Sequence, residues 1–219
     1  LASRFTAERA SLDVERFQNL YVDIPIMPPD QYSSLALMAT DGCRYNKCTF
    51  CGFYRGSQFR NRTPEQFRQH VAAATAFHGK GLALRRAIEV GQANALRGPR
   101  DWRENIFRIL NDSFDFPAAD VGTCSPSWWK GSNTRFEGIT SFLDAFVGER
   151  ISEEEFSELR RRNLRRVFIG MESGDSRLLQ WLRKPSDPQQ MLQTVRAARA
   201  AGVTVGVIVL VGAGGEPFF

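Results

Sequence analysis

The sequence predicts an α/β protein on a parallel sheet, either doubly wound or rolled into a barrel. Apolar strand-like runs and helical segments alternate strictly along the 219 residues, which gives five βα units in succession. The last apolar run, Val203 to Val211, is almost wholly β-branched, as expected of a parallel strand buried on both faces. The chemically interesting residues all follow the C-terminal ends of these runs, the edge that carries the site in both architectures.

Ser34 to Thr40 is a short apolar strand, and a cysteine-rich loop follows it at once. Thr63-Pro64-Glu65-Gln66 reads as a helix start, with Thr as N-cap, Pro at the first helical position and Gln three residues after the cap. That helix runs to His78 and stops at Gly79. Ala87 to Val90 is the second strand, with a helix near Trp102 to Leu110 after it. A third strand is expected near Ala118 to Cys124, followed by a long connection from Ser125 to Arg150 whose Trp128, Trp129 and Phe136 either wall a pocket or pack over the sheet rim. Ser152 with Glu155 makes a second capping box for a helix ending near Asn163. Arg166 to Met171 is the fourth strand, Ser176 to Leu182 a set of helical turns, and Asp187-Pro188 opens a helix that stops at Gly202 before the fifth strand. A closed barrel needs at least one more unit, so the chain is expected to be a piece of a longer protein. The absence of an initiator Met agrees with a trimmed product.

Hydrophobic content of 42% and charged content of 24% are those of an ordinary globular protein. No apolar run is long enough to span a bilayer, and no basic patch followed by an apolar stretch marks a secretory leader. A net charge of +5 suits solubility, an anionic small molecule or RNA, and selects none of them. Arg160, Arg161, Arg162, Arg165 and Arg166 form a basic cluster that a solvated helix C-terminus explains and RNA is also able to use.

Cys43, Cys48 and Cys51 fall within nine residues. Three clustered thiols in a chain with no secretory leader point to metal binding in a reducing, cytoplasmic compartment rather than to disulfides. A structural zinc site and an all-cysteine four-iron cluster each take four protein ligands, so a set of three leaves one coordination position open. The zinc alternative needs a fourth ligand from His70, His78 or Cys124. The histidines sit inside the first helix, where packing is the plainer role, and Cys124 reads as a buried small residue.

The loop Cys43-Arg-Tyr-Asn-Lys-Cys48-Thr-Phe50-Cys51-Gly-Phe-Tyr54 resembles the cluster loop of radical S-adenosylmethionine (SAM) enzymes, including the aromatic before the last cysteine and the position after a first strand. Four residues separate the first two cysteines, where three are commonest in the family. Downstream, Gly170-Met171-Glu172-Ser173-Gly174 with Lys184 resembles the Gly-x-Glu-Ser-Gly stretch of the branch containing oxygen-independent coproporphyrinogen oxidase, methylthiotransferases and Elongator-type subunits. The resemblance spans roughly residues 20 to 217.

It implies a partial (β/α) TIM-like barrel of the radical SAM type. About five units are present and the last is missing, with residues 1–33 as an extension packed on the barrel and 34–219 as the core. It implies a [4Fe–4S] cluster on Cys43, Cys48 and Cys51 whose fourth iron takes the amino and carboxylate groups of SAM. Phe50 would lie beside the adenine. Gly91, Gln92 and Asn94 fall where relatives carry a Gly-Gly-Glu-like turn for the SAM amino group, with Asn94 in place of the acid. Glu172 would accept from the ribose hydroxyls, Lys184 would pair with the SAM carboxylate, and Gly212 would allow close backbone approach. The implied chemistry is reductive SAM cleavage to a 5′-deoxyadenosyl radical, fed by a donor such as a flavodoxin or ferredoxin. The substrate is not named by any motif. The alternatives are a zinc-binding α/β protein and a nucleic-acid-binding module without SAM cleavage.

Overall fold

Thr63 caps its helix as its sequence position predicts: its hydroxyl accepts from the Gln66 N–H, while the Gln66 side chain accepts from the Thr63 N–H. Ser152 and Glu155 repeat the arrangement in a second helix. These caps fix where helices begin, and the apolar faces behind them fix where the helices lie. The computed structural model describes residues 6–21, 26–117, 135–146 and 150–218. Its elements are α1 (Ala7–Leu20), β1 (Leu35–Met38), β2 (Thr40–Asp41), β3 (Arg60–Asn61), α2 (Pro64–His78), β4 (Ile88–Gly91), α3 (Arg100–Ser113), β5 (Ile139–Leu143), α4 (Glu153–Arg161), β6 (Leu164–Glu172), α5 (Ser176–Trp181), α6 (Pro188–Ala200) and β7 (Thr204–Val209).

Five strands form one parallel sheet in the order β1-β4-β5-β6-β7. Each strand is added on the same side as the last, with no reversal. A doubly wound sheet requires a reversal, so the alternative left open by the sequence resolves to a partial barrel. Leu35, Leu37, Ile88, Val90, Ile139, Val167 and Ile169 bury one face against Phe67, Phe107, Leu110, Phe156 and Leu159 of the helices. The register sets Ala36, Glu89, Thr140, Arg166 and Thr204 in one row across the sheet, alternating with that core. The short 3-10 turn Pro29–Gln31 reaches this row, since Gln31 Oε1 accepts from Thr140 Oγ1 at 3.3 Å and Asp30 pairs with Arg166. The outer edge of β1 is closed by His70, whose Nε2 accepts the Met38 N–H at 3.0 Å. That bond satisfies a donor an edge strand would otherwise leave open.

The third and fifth places in the sheet differ from expectation, and the two readings of Phe136 resolve to packing. The strand expected near Ala118 to Cys124 lies outside the described residues, as do Cys124, Trp128 and Trp129. The third place in the sheet belongs to Ile139–Leu143, inside the stretch read as a connection. Phe136 is fully buried, edge-on to Phe114, and is a core residue rather than a pocket wall. The last strand, β7, is not buried on both faces: Val207 is 47% and Val209 55% exposed, because among the described residues β7 is the terminal strand of the sheet and pairs only with β6.

Candidate metal and cofactor site

The cysteine loop is the connection of a hairpin. β2 and β3 pair antiparallel, Thr40 with Asn61 and Asp41 with Arg60, so residues 42–59 form a loop closed at its base. Asp41 seals that base by accepting from Arg62 at 2.9 and 3.2 Å and from Arg60. Burial works to raise the Asp41 pKa, but the two guanidiniums outweigh it and hold the carboxyl below its usual range. Trp102 of α3 steadies the same strand by donating to the Arg62 carbonyl at 2.6 Å. Inside the loop, Asn46 turns left-handed at φ 47° and donates from Nδ2 to the Tyr54 carbonyl at 2.6 Å. Gly42, just before the first cysteine, has φ 73°, and a Cβ there would lie 3.1 Å from the Gln58 carbonyl oxygen. Only glycine suits both conditions.

The three thiols are half-buried and free. Burial raises the Cys43 thiol against the Asn46 and Tyr45 backbone, and raises Cys48 to about 11 against the pull of Lys184. Cys48 also feels Cys51 and Cys43, and Cys43 feels Cys51, so the sulfurs share one neighbourhood. Among the described residues no three His, Cys, Asp or Glu side chains already close round a point as a metal cage, the cysteines included. As a donor set, three soft thiols on one hairpin-pinned loop fit an iron–sulfur cluster with an open iron. A zinc site finds no histidine to complete it. His70 Nε2 is taken by Met38 N–H, and burial with nearby Arg62 lowers its pKa to about 4. His78 Nε2 is shared with the Tyr21 hydroxyl at 3.2 Å.

The turn after β4 meets the cysteine loop directly. Gly91 is buried, and the Gln92 side-chain oxygen accepts the Gly42 N–H. Asn94 is 1% exposed, and its Oδ1 accepts the Asp144 N–H at 3.1 Å, at the end of β5. Both amide oxygens are therefore engaged by the chain itself. Arg97 clamps the same place, donating to the Asp144 carbonyl at 2.9 and 2.6 Å.

Glu172 and Lys184 are brought together. A register shift between Gly170 and Glu172 places a bulge at the end of β6, and Glu172 takes φ 61°. Bulges at strand ends re-aim side chains. Arg183, also left-handed, turns the chain after α5 so that Lys184 Nζ donates to Glu172 Oε1 at 2.7 Å, both residues being 7% exposed. Gly170 makes the room, since a Cβ there would lie 2.6 Å from Glu172 Oε1 and 3.0 Å from Lys184 Nζ. Both charges act on the Cys48 thiol, Lys184 the more strongly, which sets the pair beside the cysteine loop. Phe50 is 40% exposed on that loop. Gly212, at φ 74°, turns the chain after β7.

Residues that no motif flagged tie the loops into a ring. Tyr45 packs edge-on to Phe146 and donates to the Arg183 carbonyl at 2.6 Å, Lys184 Nζ sits 5.2 Å over the Phe146 ring, and Thr49 N–H donates to the Leu182 carbonyl. Phe146 lies in the stretch read as a loop, so only its aromatic character was available as a signal. Gly42 was the stronger clue, a glycine just ahead of a ligand.

Residues 136–218 match the family model described as the radical SAM superfamily. No curated protein sequence matches the chain. Among solved structures, a cobalamin-dependent S-adenosylmethionine radical enzyme, OxsB, with aqua-cobalamin and S-adenosylmethionine bound, is 17% identical with a TM-score of 0.56, over 80% of this chain and 23% of its own. HydG, a maturase of the [FeFe]-hydrogenase, is 16% identical with a TM-score of 0.53, over 97% of this chain and 48% of its own. Coproporphyrinogen III oxidase (HemN) from Escherichia coli, a radical SAM enzyme, is 16% identical with a TM-score of 0.54, over 82% of this chain and 38% of its own. The chain thus spans between about a quarter and about half of these structures' lengths. The family match takes in the Glu-Ser-Gly stretch and leaves the cysteine loop outside it, and the partial barrel has the fold of these solved structures.

Proposed function

We propose that this chain is the core of a radical SAM enzyme, with a [4Fe–4S] cluster held by Cys43, Cys48 and Cys51. The observation that carries the reading is the hairpin-pinned loop of three thiols at the C-terminal edge of a partial barrel, beside the buried Glu172–Lys184 pair. A cluster held there by Cys43, Cys48 and Cys51 would supply the one electron for reductive cleavage of SAM, the chemistry that leads to hydrogen-atom abstraction from a substrate. The chain's own residues bind and orient. Lys184 is a cation for the SAM carboxylate and Glu172 an acceptor for its ribose hydroxyls, so SAM binding would divide a pair that now holds itself. Phe50 offers an exposed ring to the adenine, Gly91 stands in the turn assigned to the SAM amino group, and Gly212 leaves backbone open to close approach.

An acceptor of electrons needs a donor, and a small reducing carrier such as a flavodoxin or ferredoxin fits the requirement. No helix among the described residues is long and apolar enough to cross a membrane. Free thiols suit a reducing compartment, and the cytoplasm is the natural one. We take residues 1–33 as an extension on the core formed by 34–219. Contact with RNA finds little support, because Arg160, Arg165 and Arg166 are engaged by Gly202, Asn163 and Asp30.

Metal analysis after anaerobic reconstitution separates this reading from zinc. Iron and acid-labile sulfide in equal amounts, about four of each per chain, are expected. One tightly held zinc with no sulfide would overturn the proposal.

A further inference from the structure

The approach to Cys43 is fastened to the turn after β4 at three successive points. Ala39 N–H donates to the Gly91 carbonyl at 2.8 Å. Gln92 N–H donates to Thr40, at 2.9 Å to Oγ1 and 3.2 Å to the carbonyl. The Gln92 side-chain oxygen then accepts the Gly42 N–H, and Gln92 is only 6% exposed. The first two bonds continue the pairing of neighbouring strands. The third does not: it reaches past the end of β2 to hold the N–H of a left-handed glycine, the residue just before the first thiol.

We propose that Gln92 is a positioning residue for the cysteine loop, its side-chain oxygen fixing the Gly42 peptide and with it the direction in which Cys43 is presented. This rests on the iron–sulfur reading above. It departs from the role the family resemblance implies for this turn, a contact to the SAM amino group, because the side-chain oxygen is already spent on the loop. A glycine at positive φ has the widest conformational freedom of any residue, so its peptide needs an external hold. Removing the acceptor leaves a buried N–H unpaired, which is costly enough to move the loop. Groups behind a metal ligand set its orientation, and a cluster's spectrum responds to that orientation.

The test uses the whole protein, reconstituted and reduced, with Gln92→Leu and Gln92→Asn. Leu removes the oxygen, and Asn keeps the amide one methylene short of Gly42. Both variants are expected to take up iron and sulfide as the wild type does, yet to show an altered electron paramagnetic resonance spectrum before SAM is added. SAM cleavage should fall about tenfold or more, the scale of one lost hydrogen bond. Should Gln92→Leu fail to fold in a thermal melt, Gln92→Asn decides alone. A SAM-free spectrum identical to wild type overturns the proposal, whether activity is unchanged or only the KM for SAM rises, the latter marking Gln92 as a SAM contact. A wild type without iron and sulfide fails the iron–sulfur reading itself, and is told apart by metal content before any variant is compared.

Discussion

Glu89 and His70 are buried titratable side chains with opposite effects on stability. Glu89 stands in the row Ala36-Glu89-Thr140, with Thr140 donating to its Oε2 and its Oε1 unpaired and buried. Burial, against Thr140 and the Phe142 N–H, raises its pKa to about 8 from 4.5, so the folded protein holds it protonated at neutral pH. The unfolded chain ionises it above 4.5, so folding takes up a proton and stability falls as pH rises from about 4.5 through 8. His70, at about 4 against 6.5 unfolded, does the reverse: its contribution is full above 6.5 and is lost as pH falls to 4. We therefore expect Glu89→Gln to remove a decline of about 2 kcal/mol between pH 6.5 and 8.5. Denaturant unfolding across that range checks it, and an unchanged slope in the variant would show that Glu89 is ionised in the fold. At this scale the sequence was only partly legible. The cysteines stood out by spacing, and Glu172 and Lys184 only through the resemblance of the Glu-Ser-Gly stretch. Glu89 did not, because an acid inside an apolar strand run looks like any polar residue on a solvent face until the register turns it inward.

The element that matters most is the shortest. β2 and β3 are two residues each, too short for any periodicity to show, and they are found only when Asp41 and Arg60 meet. By contrast, α2, α4 and α6 were legible almost to the residue, because capping is local chemistry: Thr63, Ser152 and Asp187 each accept from N–H groups two or three positions on. β5 escaped notice for the opposite reason. Its identity depends on β4 and β6 on either side, and those partners are distant in sequence. Two glycine substitutions test how the elements hold the site. Gly42→Ala forces a side chain into a left-handed position and against Gln58, so a loss of about 1–2 kcal/mol in thermal stability and poorer iron uptake are expected. Gly170→Ala pushes into the Glu172–Lys184 pair. Separating a buried ion pair is costly, so stability should fall by about 3 kcal/mol or more if the pair breaks, and by far less if both side chains swing aside together. A variant as stable as wild type in urea would mean that the pair is not fixed.

At the scale of the molecule, the consecutive strand order gathers loops from four strands at one edge, and their bonds run from loop to loop. Gln92 joins the cysteine loop to the β4 turn, Asn94 and Arg97 join that turn to the end of β5, and Phe146 leads on to Lys184 after β6. The alternation of strands and helices predicted the sheet, but not the consecutive order that distinguishes a partial barrel from a doubly wound fold. That order is a fact of pairing, which composition does not encode. The resemblance to radical SAM enzymes supplied it from two short motifs, and the fold agrees. What the motifs do not encode is the substrate, since no described residue at the edge is assigned to one. The central claim is the cleavage of SAM, and its most direct measurement is 5′-deoxyadenosine released by the reconstituted, reduced protein, wild type against Cys48→Ala. Release by the wild type and none by the variant is expected; equal release by both, or none by a wild type that holds its full iron and sulfide, would overturn SAM cleavage as the activity of this site.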